Sequence, residues 1–483
     1  MKKPLSRRHL LKYSALTGGL AAAGCASAPL ARPITGRLRH AGVGVGGMGG
    51  ADLNQIASHP EVEITALCDV DATKLEEAHK LHPAAKTFRD WREMFASAPE
   101  LFDSVHVSTP DHMHAQIAME AIAHRKHVYC QKPLTRTVAE ARSLSKAAKR
   151  AGVVTQMGIQ NHSNGYYAQC KALFDAGHIG QVYAAHVWTD RPKGWWPQGV
   201  GRPAGSDPVP SDLDWDKWLG VAPTRPYKKG QYHPFAWRGW KDFGTGAQGD
   251  MGCHLMDPAI WFLELGHPTS LRSDGPPPND ETYPLYSRVQ YEFPPTSKTT
   301  DGPLALTWHD GGKRVYREVL EEQGFYKLKS VQERIAENER NAQRNVEIAM
   351  MNKNRGADQQ EALLSVVDPL YNNACLFLGT RGALLASPYE APILMGHELS
   401  DKIAIPNAKG VNHWHQFVDA CRGMGQTSAG FDYSAHMTEV ALLGNIALHF
   451  PHKKLLWQGE RMRFKDNAAA TAMVHPSYRK DWA

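Results

Sequence analysis

A glycine-rich run that follows a strand-like stretch is the feature that most constrains the fold of this 483-residue chain. The run has the pattern G-x-G-x-x-G and contains Gly44, Gly46, Gly47, Met48 and Gly49. A helix-like stretch follows it, and an acid, Asp69, ends the next alternating stretch about 20 residues later. Glycines let a backbone approach a pyrophosphate, and a helix N-terminus favours negative charge. The pattern predicts a dinucleotide-binding turn; a glycine-rich turn without a ligand is the alternative.

The stretches around this run alternate between strand and helix patterns over residues 37–159. Repeated βαβ units predict a doubly wound parallel sheet. Beyond residue 160, Pro, Gly and Trp dominate 191–246, which is typical of long loops. A helix is predicted over His254–Leu265, with further strands after it. The division is therefore 1–36, 37–159, 160–465 with a charged, helix-prone and largely solvated insertion over about 316–365, and a tail over 466–483.

The N-terminus reads as a targeting segment rather than as part of the fold. Arg7 and Arg8 precede an apolar stretch rich in small residues, which predicts a twin-arginine export signal and a periplasmic or envelope location. A basic N-terminus of a cytosolic protein is the alternative. Cleavage at Ala26–Ala28 and lipidation at Cys25 both stay open. Six other cysteines are scattered without C-x-x-C spacing, so free thiols are predicted.

Composition argues against two classes of partner. The formal net charge is only +6, and no basic stripe with interleaved aromatics is present, so nucleic acid is not an expected partner. After the signal-like segment, no apolar run is long enough to span a bilayer.

Polar residues follow two further strand-like stretches. Ser108, Thr109 and Pro110 end one of them, and Gln131 and Lys132 end the next, in "YCQKPL". Ligands of doubly wound sheets bind at the carboxyl ends of strands, so these residues are predicted to face the cofactor. Lys132 can hold a substrate hydroxyl and stabilise developing alkoxide charge. An acid at Asp69 accepts ribose hydroxyls and repels a 2′-phosphate, which favours NAD over NADP.

The stretch "GDMGCHLMD" supplies further titratable groups. Asp250 and His254 are spaced i,i+4 and share one face if helical, and Asp257 follows one turn later. An acid beside a His fixes its tautomer and raises its basicity. A helix-capping Asp with a buried His is the structural alternative, and a cation site formed by these three residues is another.

Together, the glycine-rich turn, "STPDHMH", "QKP" and "GDMGCHLMD" resemble the glucose–fructose oxidoreductase/inositol dehydrogenase/MocA (Gfo/Idh/MocA) family. The resemblance implies a Rossmann domain followed by an α+β domain with a large, mostly antiparallel sheet. It also implies that Lys132, Asp250 and His254 form the catalytic set. Family members more often carry Glu before the Lys, where Gln131 stands here. The insertion also departs from the family pattern, which leaves the outer substrate pocket and the oligomer geometry open.

The resemblance implies hydride transfer to NAD from the sugar carbon that bears a hydroxyl, with His254 taking the hydroxyl proton and Lys132 stabilising the oxyanion. Besides the strand-end residues and the turn, the candidates for cofactor contact are His114 and Gln160, with a capping or core role as the alternative for His114. The candidates for substrate contact are Asn161, His162, Trp188, Asp190, Arg191, Trp195, Trp196 and Asp257. For any one of these aromatic residues, ordinary packing is the alternative.

Export adds a constraint on the reaction. Outside the inner membrane free NAD is scarce, so an exported enzyme is expected to retain its cofactor and close its own redox cycle. Sugar-to-sugar hydride transfer and glycoside cleavage by oxidation and elimination both do so. A plain NAD-linked sugar or polyol dehydrogenase is the second hypothesis, and a non-catalytic sugar-binding protein is the third. The expected partners are a sugar or glycoside, the twin-arginine export machinery and further copies of the chain in a homo-oligomer.

Overall fold

The computed structural model describes residues 34–312, 316–329, 331–337, 339–340, 371–396 and 403–482. The predicted signal with Arg7, Arg8 and Cys25 lies outside the described residues, as does 341–365 of the predicted insertion.

The first sheet has six parallel strands in the order β3-β2-β1-β4-β5-β6. Its strands are β1 Leu38–Val43, β2 Val62–Cys68, β3 Lys86–Phe88, β4 Ser104–Val107, β5 His127–Gln131 and β6 Thr155–Gly158. The helices that alternate with them are α1 Met48–Ala57, α2 Ala72–Leu81, α3 Trp91–Ser97, α4 Asp111–Ala123 and α5 Val138–Ala151. The predicted doubly wound sheet is confirmed. Its strand order reverses between β1 and β4, so the crevice at that switch point lies beside the glycine-rich turn.

The second sheet has nine strands, in the order β13-β12-β11-β7-β10-β9-β8-β14-β15. Only the β7–β10 pair is parallel among the described pairs. The strands are β7 Val182–Trp188, β8 Ser270–Ser273, β9 Arg288–Phe293, β10 Leu304–His309, β11 Ala374–Gly379, β12 Ala383–Ala386, β13 Ile393–Met395, β14 Leu455–Gln458 and β15 Arg463–Lys465. The large, mostly antiparallel sheet implied by the resemblance is therefore present.

The remaining helices are α6 Gly165–Asp175, α7 Trp215–Leu219, α8 Gly246–Leu255, α9 Asp257–Phe262, α10 Tyr316–Glu322, α11 His413–Cys421, α12 Phe431–Ala447 and α13 Ala468–Ala472. The helix predicted over His254–Leu265 is wrong in its bounds, because α8 begins at Gly246 and a new helix starts at Asp257. Close packing requires a glycine at position 249 of α8, whereas at position 252 a side chain would make an ordinary contact. A Cβ on Gly249 would lie 2.0 Å from Thr245 Oγ1, and one on Gly252 would lie 3.4 Å from Ala441 of α12.

The stretch 191–246 is largely irregular, as predicted, but it has a hydrophobic core of its own. The buried guanidinium of Arg225 lies at the centre of this core and pairs with Asp242 and Glu281. The aromatic residues of this core are Trp215, Trp218, Tyr227, Tyr232, Trp237, Trp240 and Phe243. His233 Nε2 lies 2.8 Å from Asp71 Oδ2, so this core is docked on the Rossmann sheet.

The described part of the insertion is less solvated than predicted. Leu320, Val331 and Ile335 are buried against the second sheet, in one cluster with Leu376 and Leu385. The side chains of β11 alternate, so Leu376 faces this cluster while its neighbours Cys375 and Phe377 face the main core. The described residues of the insertion therefore cover part of one face of the sheet with apolar side chains, which the charge-rich sequence did not indicate.

The C-terminal part returns to the Rossmann domain. Helix α12 packs against α5, and α11 packs against α1. The predicted tail is docked as well, since Tyr478 donates a 2.7 Å hydrogen bond to Glu140 Oε1 and Arg479 pairs with Asp216. No helix within the described ranges is long and apolar enough to cross a membrane.

Candidate active site

The glycine-rich turn leads from β1 directly into α1. Gly44 has φ +78°, and a Cβ on Gly49 would lie 1.8 Å from Gly44 O, so neither position accepts a side chain. A Cβ on Gly47 would meet nothing within 4 Å, which leaves that side of the turn open. Asp69 stands at the end of β2, where it accepts hydrogen bonds from Val45 N at 2.9 Å and Asp71 N at 3.0 Å. The acid is thus held against the turn, where a ribose would lie.

The end of β4 forms the opposite wall of the crevice. Thr109 Oγ1 is buried and has no hydrogen-bond partner in the described structure, so it is available to a bound molecule. Pro110 is the N-cap residue of α4. The ring nitrogens of His114 lie 2.7 Å from Thr109 O and 2.9 Å from Pro133 O. His114 therefore joins two strand-end loops, and its ring has no nitrogen left for a cofactor.

These residues fit the dinucleotide that the sequence predicts. The open side of the turn at Gly47 gives a phosphate access to the backbone, and the unpartnered Thr109 hydroxyl lies at the same edge of the sheet. Met48 begins α1 and is 40% exposed, so it lies at the surface of the cradle.

Lys132 and Asp250 meet across the two halves of the chain. Lys132 Nζ lies 2.8 Å from both Oδ1 and the backbone oxygen of Asp250, which occupies two of its three hydrogens. Arg238 Nε shares the same carboxylate oxygen at 3.2 Å. His254 lies one turn further along α8, and its buried Nδ1 has no hydrogen-bond partner among the described residues. The site therefore keeps one ammonium hydrogen and one imidazole nitrogen for a ligand.

The charges set the protonation states of this cluster. Burial, reinforced by the Lys132 charge, lowers the pKa of His254 to about 3, so the imidazole is neutral at neutral pH. Although burial opposes ionisation of Asp250, Lys132 and Arg238 hold the pKa of its carboxyl well below the usual range. The result is a neutral imidazole beside a charged lysine. The rise in basicity that the sequence predicts for His254 from Asp250 is outweighed by burial and by the Lys132 charge.

Arg238, Asp111 and Tyr389 also belong to the site, although the sequence did not single them out. Asp111 is buried at the start of α4 and accepts a 2.7 Å hydrogen bond from Thr245, the residue that precedes α8. Burial raises the pKa of Asp111 to about 7. Tyr389 follows β12 and lies within electrostatic range of Asp250. The "PDH" of α4 was a usable signal for Asp111, whereas Arg238 and Tyr389 come from segments without any pattern.

Four of the predicted substrate residues surround this cluster. Asn161 hydrogen-bonds to Tyr389, which also lies within electrostatic range of Asp190 and Arg191. Arg191 forms an ion pair with Asp190, and its guanidinium stacks 3.5 Å above the ring of Trp195. Trp195 is 48% exposed, so a sugar face can reach its ring.

The other four predicted substrate residues are tied into the protein. Trp188 is buried in the core, where its indole donates a 2.7 Å hydrogen bond to Tyr371 O. Trp196 is 7% exposed and donates to Gln198 Oε1. His162 and Asp257 form a buried pair at 2.9 Å. Trp188 ends β7 and Asp257 begins α9, and both side chains are buried. The predicted sugar contact is therefore wrong for the Trp188 ring.

This geometry does not support the cation site that the sequence left open as an alternative. Asp257 faces His162 and Tyr433 rather than His254, while Asp250 binds Lys132. Within the described ranges there is no group of three or more His, Cys, Asp and Glu side chains that could hold a metal ion.

Comparison with known proteins shows where the chain belongs. The oxidoreductase family model for an NAD-binding Rossmann fold, GFO_IDH_MocA, matches residues 38–159, and the family's C-terminal alpha/beta domain matches residues 168–301. The chain belongs to the Gfo/Idh/MocA family. Its first domain is accordingly an NAD-binding Rossmann domain.

Curated relatives in the Gfo/Idh/MocA family include inositol 2-dehydrogenase of Salmonella typhimurium, 29% identical over 30% of this chain and 43% of the relative. Levoglucosan dehydrogenase of Pseudarthrobacter phenanthrenivorans is 27% identical over 36% of each chain. The matches thus span less than half the length of these relatives.

Solved structures share the whole fold. The WlbA dehydrogenase of Bordetella pertussis, solved with NADH and UDP-GlcNAcA, superposes with a TM-score of 0.56 at 14% identity, over 87% of this chain and 99% of that chain. Levoglucosan dehydrogenase in complex with NADH and L-sorbose gives a TM-score of 0.54 at 15% identity, over 86% and 98%. At such identities these likenesses establish the fold alone.

Proposed function

We propose that the protein oxidises a secondary hydroxyl of a sugar or polyol with NAD. The observation that carries this proposal is the meeting of Lys132, Asp250 and His254 at the edge of the NAD-binding sheet. Bound NAD supplies the hydride acceptor. The relatives named as inositol and levoglucosan dehydrogenases support a sugar or polyol as substrate.

The chain's own residues perform the proton and charge chemistry. His254 is neutral, so it can take the hydroxyl proton as the carbon-bound hydrogen leaves as hydride. The remaining hydrogen of Lys132 Nζ donates to the substrate oxygen and stabilises its developing negative charge. Asp250 holds the ammonium in place, and Arg238 in turn holds the Asp250 carboxylate. Trp195 offers an exposed aromatic face for the sugar ring.

A redox-neutral cycle in the cell envelope is the second candidate. Its support is the twin-arginine pattern at Arg7 and Arg8 together with six buried cysteines that are all free thiols. A protein that folds in a reducing compartment before export has no need of disulfides. In the cleavage version, hydride passes from C3 to NAD, and the ketone formed there acidifies the C2 hydrogen. Loss of the C2 proton expels the C1 substituent and leaves a C1–C2 double bond. Water then adds its hydroxyl at C1, a proton from solvent adds at C2, and hydride returns to C3.

The stoichiometry of the cofactor separates the two candidates. Net oxidation yields one NADH per oxidised sugar in purified protein with added NAD. A redox-neutral cycle yields no net NADH, and cleavage in deuterated water places deuterium at C2 of the released sugar. The relatives favour net oxidation, which is the result expected here. Turnover of sugar to product without formation of NADH would overturn net oxidation and support the redox-neutral cycle.

A further inference from the structure

A buried carboxylate on α1 has no part in the site described so far. Asp52 is fully buried, and its two oxygens accept hydrogen bonds from Ser108 Oγ at 2.8 Å, Trp414 Nε1 at 2.8 Å and Gln131 Nε2 at 2.9 and 3.1 Å. Gln160 also donates to it. No Lys or Arg in the described part of the chain forms an ion pair with Asp52. Burying a carboxylate among neutral donors is costly, so its presence calls for a reason.

The contact between Asp52 and Gln131, the residue before Lys132, gives the buried carboxylate a role. Its amide nitrogen donates to both oxygens of Asp52, which leaves the amide oxygen facing Lys132 N at 3.2 Å. The two ends of an amide differ, because one donates and the other accepts. An acceptor-only carboxylate at position 52 therefore fixes which end of Gln131 faces Lys132.

The space for this amide is built by a neighbouring strand. Gly158 lies opposite Gln131 in the β5–β6 pairing, and a Cβ on Gly158 would lie 2.6 Å from Gln131 Nε2. A side chain at 158 would push the amide off Asp52. Asp52, the Gln131 amide and Gly158, which has no side chain, therefore form one arrangement next to Lys132.

We propose that Asp52 is a positioning residue that orients the Gln131 amide and, through it, the backbone of Lys132. The proposal rests on the proposed role of Lys132 in hydride transfer. It also makes Trp414 and Ser108 the anchors that hold Asp52 in place, which ties α11 and the end of β4 to the lysine.

A single amide substitution tests this arrangement. In Asp52→Asn, the introduced amide nitrogen meets the Gln131 nitrogen, and if Gln131 flips, its nitrogen meets Lys132 N. Either way one hydrogen bond is lost. The value of kcat per folded molecule is expected to fall about 10- to 100-fold, with KM nearly unchanged.

Exchanging the two groups should restore what the single substitution removes. The double variant combines Asp52→Asn with Gln131→Glu, so the amide and the carboxylate change places. The introduced amide can donate to the introduced carboxylate and to Ser108, and its oxygen can accept from Trp414. The carboxylate at position 131 can still accept from Lys132 N, so kcat of the double variant should recover to within a few-fold of wild type.

Two further variants test the contributions of Gly158 and Trp414 to this arrangement. Gly158→Ala displaces Gln131 without touching Asp52, so kcat should fall as in Asp52→Asn. Trp414→Phe removes one of the two anchors of Asp52 but leaves the Gln131 contacts, so kcat should fall less than in Asp52→Asn. Wild-type kcat per folded molecule in Asp52→Asn, or a double variant as slow as the single one, would overturn the proposal.

A structural readout separates failure of the positioning role from failure of the proposed function. In crystal structures, the distance between Lys132 Nζ and Asp250 Oδ1 should stay near 2.8 Å in wild type and the double variant, and lengthen in Asp52→Asn. If wild type turns over no sugar, the proposed function fails, and these distances still decide whether Asp52 positions the lysine. An unchanged distance in Asp52→Asn would overturn the positioning role.

Discussion

At the scale of single residues, the account depends on two groups with different tasks. Replacing Lys132 by Ala removes the ammonium proposed to stabilise the alkoxide, and replacing His254 by Ala removes the proposed base. Each change should lower kcat about 100- to 10,000-fold while bound NAD and the unfolding midpoint stay close to wild type. Lys126→Ala is the matched control, since Lys126 Nζ donates a 2.8 Å hydrogen bond to Phe102 O, away from the site, and this variant should retain activity. A His254→Ala protein that unfolds but keeps its activity per folded molecule would identify His254 as a core residue.

Asp69 is the residue expected to set the choice of cofactor. Its carboxylate is held beside the turn by two backbone N–H groups and can accept the hydroxyls of an adenosine ribose. Asp69→Ala should weaken binding of NAD by about 10-fold or more, the effect of losing hydrogen bonds to a charged group, and weaken NADP less. Titration calorimetry with both cofactors measures this. Asp103→Ala, whose carboxylate pairs with Arg39, is the control. Equal losses for NAD and NADP would speak against the ribose contact.

At the scale of elements, α8 places both Asp250 and His254, and its glycines allow it to do so. A Cβ on Gly249 would lie 2.0 Å from Thr245 Oγ1, and that hydroxyl in turn holds Asp111. Gly249→Ala should therefore displace the start of the helix, destabilise the fold by about 1–3 kcal/mol and reduce activity. Gly252→Ala is the matched control, because its nearest contact would be 3.4 Å and ordinary packing accommodates it. Urea unfolding and kcat check both variants, and equal effects of the two would contradict this view of α8.

The same helix shows what sequence reasoning can and cannot reach. Lys132 and Asp69 follow strand ends, and strand ends of a parallel sheet share one edge, so their placement was predictable. The start of α8 was not, because its glycines were taken for a loop, whereas Gly249 is required for close packing against Thr245. Arg238 and Tyr389 were not predicted, because they lie in segments without a periodic sequence pattern. Asp52 was not predicted, because an acid on a helix usually faces solvent. Its burial becomes visible only through its tertiary contacts with Gln131 and Trp414.

At the scale of the whole molecule, buried histidines dominate the expected response to acid. Burial lowers the pKa of eight histidines to about 3 or 4: His106, His112, His127, His186, His254, His309, His413 and His449. The unfolded chain binds these protons near its ordinary pKa of about 6.5 and the native chain does not, so stability falls as pH drops below that value. Among the described carboxyls, burial raises the pKa of Asp52, Asp111 and Asp310 to about 6 or 7, which acts in the opposite direction.

Because the histidines outnumber these carboxyls, the protein should unfold at a lower urea concentration at about pH 5 than at about pH 7.5. The comparison is made at equal ionic strength, without added cofactor, and the unfolding midpoint is the measured quantity. A midpoint that is unchanged or higher at the lower pH would mean that the native histidines take up protons.

Transfer of deuterium from sugar carbon to nicotinamide tests the central claim most directly. The purified protein is given NAD with ring-deuterated inositol, levoglucosan or glucose, the cofactor is released by denaturation, and its mass is measured. Both net oxidation and a redox-neutral cycle pass the label through the cofactor, so during turnover deuterium should be found in the nicotinamide of wild type and Lys126→Ala, and should enter it about 100-fold or more slowly in His254→Ala. Sugar that binds and turns over while the nicotinamide stays unlabelled would contradict hydride transfer at this site.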